Sequence, residues 1–251
     1  MTIYHSDMFE LNTFYNLDCM VGMKDIPNNY IDLIVTDPPY KVTSRGSSGN
    51  AGGMLKKEIN KSGNVFNHND IKPIEYLPEL YRILKEGSHL YIMVNHINLQ
   101  EMLNVATENN FNFIKSLVWD KGNKIMGQFY MSQFEYILFF RKGKGKKINN
   151  CGTSDIIRIP NIKTKGSNGN NLHDTEKPIA LMELLIKNSS IENNIVLDPF
   201  VGVGSTLLAC KNLKRNYIGF ELDKKYYDIA CSRIDNNENQ MDIFRDCGVE
   251  I

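Results

Sequence analysis

A chain of 251 residues, 42% hydrophobic and 23% charged, is long enough for one large α/β domain with a core of ordinary depth. Its 29 basic and 29 acidic residues cancel, which excludes a uniformly basic nucleic-acid-binding chain and confines any such surface to a local patch. The five cysteines, at 19, 151, 210, 231 and 247, are scattered and lack metal spacing, so a reduced cytoplasmic protein is expected; no apolar run suits a membrane span or secretory leader.

Residues 14–23, FYNLDCMVGM, predict a short strand ending near Asp18 and then a helix start. Asp18 is placed either to cap that helix or to accept a hydrogen bond from a ligand amine. In IDLIVTDPPY, residues 31–40, an apolar run stops at Thr36, Asp37, Pro38, Pro39 and Tyr40. This pattern predicts a buried parallel strand that delivers polar groups at its carboxyl end, the edge where open α/β sheets bind ligands. Both prolines lack an N–H but keep a carbonyl acceptor. With the Asp37 carboxylate and the flat Tyr40 ring they suit a planar group bearing an exocyclic amine; a strand followed by a rigid turn is the plain alternative. Residues 41–69 are poor in core residues, rich in glycine, and carry Arg45, Lys56 and Lys57. They predict a flexible loop over the carboxyl edge.

Helical spacing covers 73–84, with Pro78 as a complication, and again 98–109. Strands are predicted at 89–94, 111–119 and 134–140, and the alternation supports an α/β sheet. The run RKGKGKK, 141–147, holds Arg141, Lys142, Lys144, Lys146 and Lys147, and reads either as a solvated hairpin or as a set of phosphate contacts. Residues 148–172 are rich in Asn and Gly. In His173-Asp174-Thr175-Glu176-Lys177-Pro178, Pro178 suits a first helical position. IVLDPFVGVGSTLLAC, 195–210, predicts a strand ended by Asp198, a tight turn at Gly202 and Gly204, and a helix from Ser205. A further strand, 217–223, ends near Glu221, and 224–235 is helical. From Leu197 to Glu221 the chain has the length of a mononucleotide-binding half, with Glu221 placed to accept two ribose hydroxyls. It lacks GxGxxG and a P-loop lysine.

The block YNLDCMVGMKDIPNNYIDLIVTDPPY, then HDTEKP, then DPFVGVGS with Glu221, resembles in its order the motifs of beta-class DNA amino-methyltransferases. Three positions depart from that pattern: Leu17 stands where the family usually has Gly, and Asp174 and Glu176 alter its HPTQKP-like hexapeptide. The resemblance covers most of the chain. It implies a Rossmann-like methyltransferase fold with a circularly permuted motif order. The sheet would have seven strands, mostly parallel, with an antiparallel edge strand.

It further implies methyl transfer from S-adenosylmethionine to N6 of a flipped adenine, leaving S-adenosylhomocysteine; N4 of cytosine is the alternative. Asp37, Pro38, Pro39 and Tyr40 would be catalytic. Asp18, Cys19, Asp37, His173, Lys177, Pro178, Asp198, Phe200, Gly202, Gly204, Ser205 and Glu221 would hold the cofactor. Arg45, Lys56, Lys57 and the basic run 141–147 would touch DNA. The sulfonium methyl is already activated, so no metal is expected, and attack at nitrogen gives no cysteine a catalytic task. One domain would span 1–251, with target recognition in 148–172, shared with 41–69. Double-stranded DNA is the implied partner, with no membrane. A homodimer is implied by family habit, and a cognate restriction endonuclease is compatible but not readable here. An inert nucleic-acid-binding module and a nicotinamide-dependent oxidoreductase are the readings from other classes.

Overall fold

The computed structural model describes residues 10–39, 71–125, 130–162 and 176–246. In chain order they form β1 (Thr13–Tyr15), α1 (Cys19–Gly22), β2 (Ile31–Thr36), α2 (Pro73–Ile83), β3 (Leu84–Val94), α3 (Leu99–Glu108), β4 (Phe111–Ile125) and β5 (Ser132–Lys142). Then come β6 (Ile156–Arg158), α4 (Ile179–Ser189), β7 (Ile195–Asp198), α5 (Ser205–Asn212), β8 (Asn216–Phe220) and α6 (Lys224–Asp246).

Strand β2 is apolar at Ile31, Leu33, Ile34 and Val35 because it is central and covered on both faces. Leu33 and Val35 join one core with Leu181 and Leu185 of α4 and Leu207 of α5. Ile31 and Ile34 join the other with Leu77 and Leu80 of α2 and Met102 of α3. Alternation from Leu33 to Val35, with a register shift between Ile31 and Leu33, thus lets a single strand feed two layers. Pro73, not Pro78, opens α2, and the Glu75 carboxylate accepts the Lys72 N–H at 2.8 Å. Pro78 sits inside this helix on its exposed side, one turn from exposed Ile74, to whose carbonyl it has no N–H to donate.

Among the described residues eight strands make one sheet, ordered β1-β8-β7-β2-β3-β5-β4-β6. This corrects the expected seven. It also moves the reversed strand: β5 is antiparallel to β3 and β4, and lies third from the β6 edge. The link from β4 to β5 is too short for a crossover, so the two must be antiparallel. β6 then adds parallel to β4, through Val118↔Ile156 and Trp119↔Ile157, and covers that edge. β7 and β2 are neighbours at the centre, in parallel register Leu33↔Val196 and Ile34↔Leu197. From β7 the chain winds outward through β8, and from β2 outward through β3. The crevice above the carboxyl ends of β7 and β2 is therefore the topological switch point. No helix among the described residues is long and apolar enough to cross a membrane.

Candidate active site

Two strand ends are joined at that crevice. The Thr36 hydroxyl donates to Asp198 Oδ1 at 2.9 Å, and the Phe200 N–H donates to the same oxygen at 3.1 Å. Burial pushes the Asp198 carboxyl up to about 6, against the hydrogen bonds from Thr206, Phe200 and Thr36. Asp198 was expected to hold the cofactor; its hydrogen bonds named here shape the turn.

The turn itself opens toward the crevice. Gly202 and Gly204 have φ of +56° and +85°, a left-handed backbone that favours glycine. A Cβ on Gly202 would meet no atom within 4 Å, so its backbone faces free space that a ligand can occupy. A Cβ on Gly204 would press on Ala230 at 3.2 Å, so that glycine serves packing. Ser205 Oγ is buried without a hydrogen-bond partner. Glu221 Oε2 accepts the Gly202 N–H at 2.7 Å, and Oε1 accepts the Asp223 N–H at 2.8 Å. Each oxygen retains a lone pair. Burial dominates the Glu221 carboxyl and pushes it up to about 7. Phe200 stands edge-on to Tyr76, with centroids 5.2 Å apart.

Asp18 lies beside this turn, because β1 pairs with β8. Its carboxylate accepts the Met20 N–H at 2.8 Å and caps α1. Leu17, the departure from glycine, still donates its N–H to the Glu221 carbonyl at 3.2 Å. Gly22 is required where α1 meets β8, since a Cβ would lie 2.2 Å from the Phe220 ring. Cys19 is buried, and burial pushes its thiol up to about 12, so it remains a neutral packing residue at ordinary pH.

On the β2 side, Asp37 Oδ2 accepts a hydrogen bond from Lys177, which arrives just before α4. Asp37 Oδ1 is buried with no hydrogen-bond partner. Burial raises the Asp37 carboxyl above its usual range, while Lys177 opposes this. Pro38 is buried directly after it, with its carbonyl as a further acceptor. Pro178 follows Lys177 and caps α4. Glu176 pairs with Arg233 of α6 at 2.6 Å, and Arg233 also donates to the Val203 carbonyl in the glycine turn. The altered hexapeptide thus has a local reason: Glu176 ties the start of α4 to the glycine turn.

The structure also brings in two residues that sequence reasoning missed. Glu135 of β5 accepts from Lys121 of β4 and lies 3.6 Å from Lys177 Nζ. The signal for Glu135 was its position as the lone carboxylate in the apolar run FEYILFF.

The basic run is not brought to this edge. β5 runs backwards, so Arg141 pairs with His89 near the amino ends of the parallel strands. Lys142 is a correction: it is buried, and its ammonium donates to Asn29 Oδ1, the Tyr81 carbonyl and the Leu84 carbonyl at 2.7–2.8 Å. Lys144, Lys146 and Lys147 are exposed there, and Gly145 packs against the Gly87 backbone. Tyr40, Arg45, Lys56, Lys57, His173, the loop 41–69 and residues 163–172 of the expected recognition segment lie outside the described residues.

The chain matches the DNA methylase family over residues 31–232. It is 31% identical over 247 residues to Type II methyltransferase M.HpaI of Haemophilus parainfluenzae, across 88% of this chain and 73% of that protein. With Type II methyltransferase M2.MboI of Moraxella bovis it shares 29% over 256 residues, across 92% and 89%. Of solved structures, the M1.HpyAVI–SAM complex is similar with a TM-score of 0.65 and 28% identity, across 88% of this chain and 98% of that one. The cytosine-N4-specific PvuII DNA methyltransferase shares the fold, with a TM-score of 0.68 at 16% identity across 87% and 84%.

Proposed function

This chain belongs to the DNA methylase family, and on that premise we propose that it methylates double-stranded DNA at N6 of an adenine swung out of the helix. The observation that carries the reading is Asp37 Oδ1, a buried acceptor without a partner at the carboxyl end of the central strand. Together with the Pro38 carbonyl it offers two acceptors to the two N–H groups of an exocyclic amine. Accepting both draws the nitrogen toward a tetrahedral shape and directs its lone pair outward. A base stacked in the duplex cannot reach this edge, so extrusion is part of the proposal. Tyr40, next in the chain after Pro39, is assigned the stacking surface.

The residues on the β7–β8 side fit S-adenosylmethionine, which supplies a methyl group already activated on sulfonium. The bare backbone at Gly202 admits close approach, Ser205 Oγ lacks a partner, and Glu221 keeps acceptor capacity for a pair of hydroxyls. Target choice is assigned to 148–172, where buried Ile157 anchors β6 beside exposed Arg158, and to 41–69.

Single-molecule sequencing of DNA from a methylase-free host tests the reading. Expression should produce N6-methyladenine at one short sequence, and an Asp37→Ala variant should produce none. Modification at cytosine N4 would replace adenine by cytosine in the same pocket.

A pH dependence follows from Glu221. Burial pushes its carboxyl up to about 7, and the ionised form is the better acceptor for hydroxyls. Affinity for S-adenosylhomocysteine is therefore expected to hold above that pH. Below it, affinity should fall toward about tenfold per pH unit, since binding must first remove a proton. Calorimetry between pH 8 and 5.5 measures this, and Glu221→Gln should flatten the profile at low affinity. A wild-type affinity that does not change with pH would remove the ionised carboxylate from the assignment.

A further inference from the structure

Four buried or half-buried side chains alternate in sign across the crevice: Asp37, Lys177, Glu135 and Lys121. They come from β2, the approach to α4, β5 and β4. Lys177, with a side chain only 9% exposed, is shared between two carboxylates. Glu135 is gripped on Oε1 by Lys121, whose ammonium also lies 5.2 Å from the Trp119 ring centroid, while Oε2 faces Lys177 without a hydrogen bond. Taking four charges out of water is costly, and apolar residues of similar size commonly fill such space at less cost. The cluster instead ends on Asp37, the acceptor of the reaction proposed above.

The geometry points to Glu135 as a positioning residue for that reaction: by drawing on the same Lys177 ammonium as Asp37, it limits how far Lys177 neutralises the Asp37 carboxylate. Lys121 in turn fixes Glu135 in place. Without this counter-ion, the full Lys177 charge would fall on Asp37, and the remaining lone pairs on Oδ1 would be poorer acceptors for an amine. The inference rests on the amine-methylating reading of the site.

The electrostatic directions agree. Burial raises the Asp37 carboxyl, Lys177 lowers it, Glu135 raises it and Lys121 lowers it. Glu135 is itself buried, yet Lys177 and Lys121 hold it below the usual carboxylate range, so its charge persists at neutral pH. Asp198 of β7 and the Tyr76 hydroxyl of α2 are the other titratable groups that feel Asp37. Neither is altered by the variants below.

The two ends of the relay should therefore act with opposite signs. Glu135→Gln keeps the shape and removes the charge; the Asp37 titration midpoint should fall by about one pH unit. The rate constant should fall about tenfold at neutral pH, with KM for S-adenosylmethionine within about threefold. Lys121→Met leaves Glu135 uncompensated, and the midpoint should rise. Glu135→Asp should retain the wild-type direction. Carboxyl ¹³C NMR of the ligand-free protein, with Asp37 assigned through Asp37→Asn, reads the midpoint without turnover. The acid limb of kcat against pH reads it during methylation. Midpoints that stay with wild type, or that move the same way in both variants, overturn the proposal and leave Glu135 a packing role. If Glu135→Gln does not fold, Lys121→Met decides alone: an unmoved or lowered midpoint overturns it. A wild-type protein that methylates no DNA would sink the functional reading instead, and the NMR titration would still report on the relay.

Discussion

Alanine in place of Asp37 is expected to lower methyl transfer about a hundredfold or more while the protein melts within a few degrees of wild type. Asp37 Oδ1 is a buried acceptor without a partner, which the proposed function gives to the amine, and removing one such group typically costs about 3 kcal/mol of transition-state stabilisation. The fold should survive for a local reason. Lys177 loses one partner but keeps Glu135 at 3.6 Å, so no cation is stranded. A carboxyl that burial raises above its usual range also contributes no stability in its ionised form. Stability from such a group is present at low pH and is lost as pH rises through its folded-state value, so at neutral pH the alanine variant gives up none of it. Asp37→Asn, which keeps the shape, should be nearly as slow as alanine. Single-turnover rates at saturating cofactor, with affinity for S-adenosylhomocysteine measured separately, make the check. A wild-type rate in either variant removes Asp37 from the chemistry.

Lys142→Ala is expected to destabilise the protein by about 3 kcal/mol, whereas neutralising Lys144, Lys146 and Lys147 together should change neither stability nor methylation by more than about twofold. The Tyr81 and Leu84 carbonyls belong to the end of α2, where unpaired carbonyls concentrate and partial negative charge accumulates. The Lys142 ammonium satisfies both, donates to Asn29 Oδ1 as a third partner, and lies 4.6 Å from the Tyr81 ring centroid. At about 1 kcal/mol per hydrogen bond, with acceptors left buried, the loss reaches that size. Its neighbours are exposed, and sit about 20 Å from the reactive edge across the length of β2, at ~3.3 Å per residue. Urea denaturation tests the first half and DNA affinity over a salt series tests the second. A drop in affinity for all duplexes, with a smaller salt slope, would return the triple-lysine segment to the DNA surface.

Much of the central sheet was legible because each strand there carries its own stop. Ile31–Val35 ends in Asp37-Pro38, Ile195–Leu197 in Asp198, and the glycine turn requires two left-handed residues that only glycine supplies cheaply. Those signals are local. What stayed hidden depends on pairing across long separations. Glu135 reaches Lys177 only because β5 is reversed and lies beside β3, and no periodicity in FEYILFF encodes that neighbour. Lys142 was hidden in a different way. A strand alternates sides, and its last residue turned inward while the lysines that follow it turned outward; composition averages over that difference. β6 has three residues, too few for a period to show.

The bond from Asn16 to the Glu221 carbonyl spans 205 residues, and the bond from Thr36 to Asp198 spans 162. On a ribosome adding about 5–20 residues per second, β1 waits roughly 10–40 s for the strand it pairs with. β2 waits almost as long for β7, and for α4 and α5, which cover one of its faces. Chains whose decisive contacts are this distant fold slowly, because loop closure must precede any reward. The β3–β5–β4 unit has only near neighbours to find and is expected to gain amide protection first in pulse-labelled refolding. The reactive edge would then be the last part of the molecule to exist, so a nascent chain holds neither cofactor nor base until β7, α5 and β8 have left the tunnel.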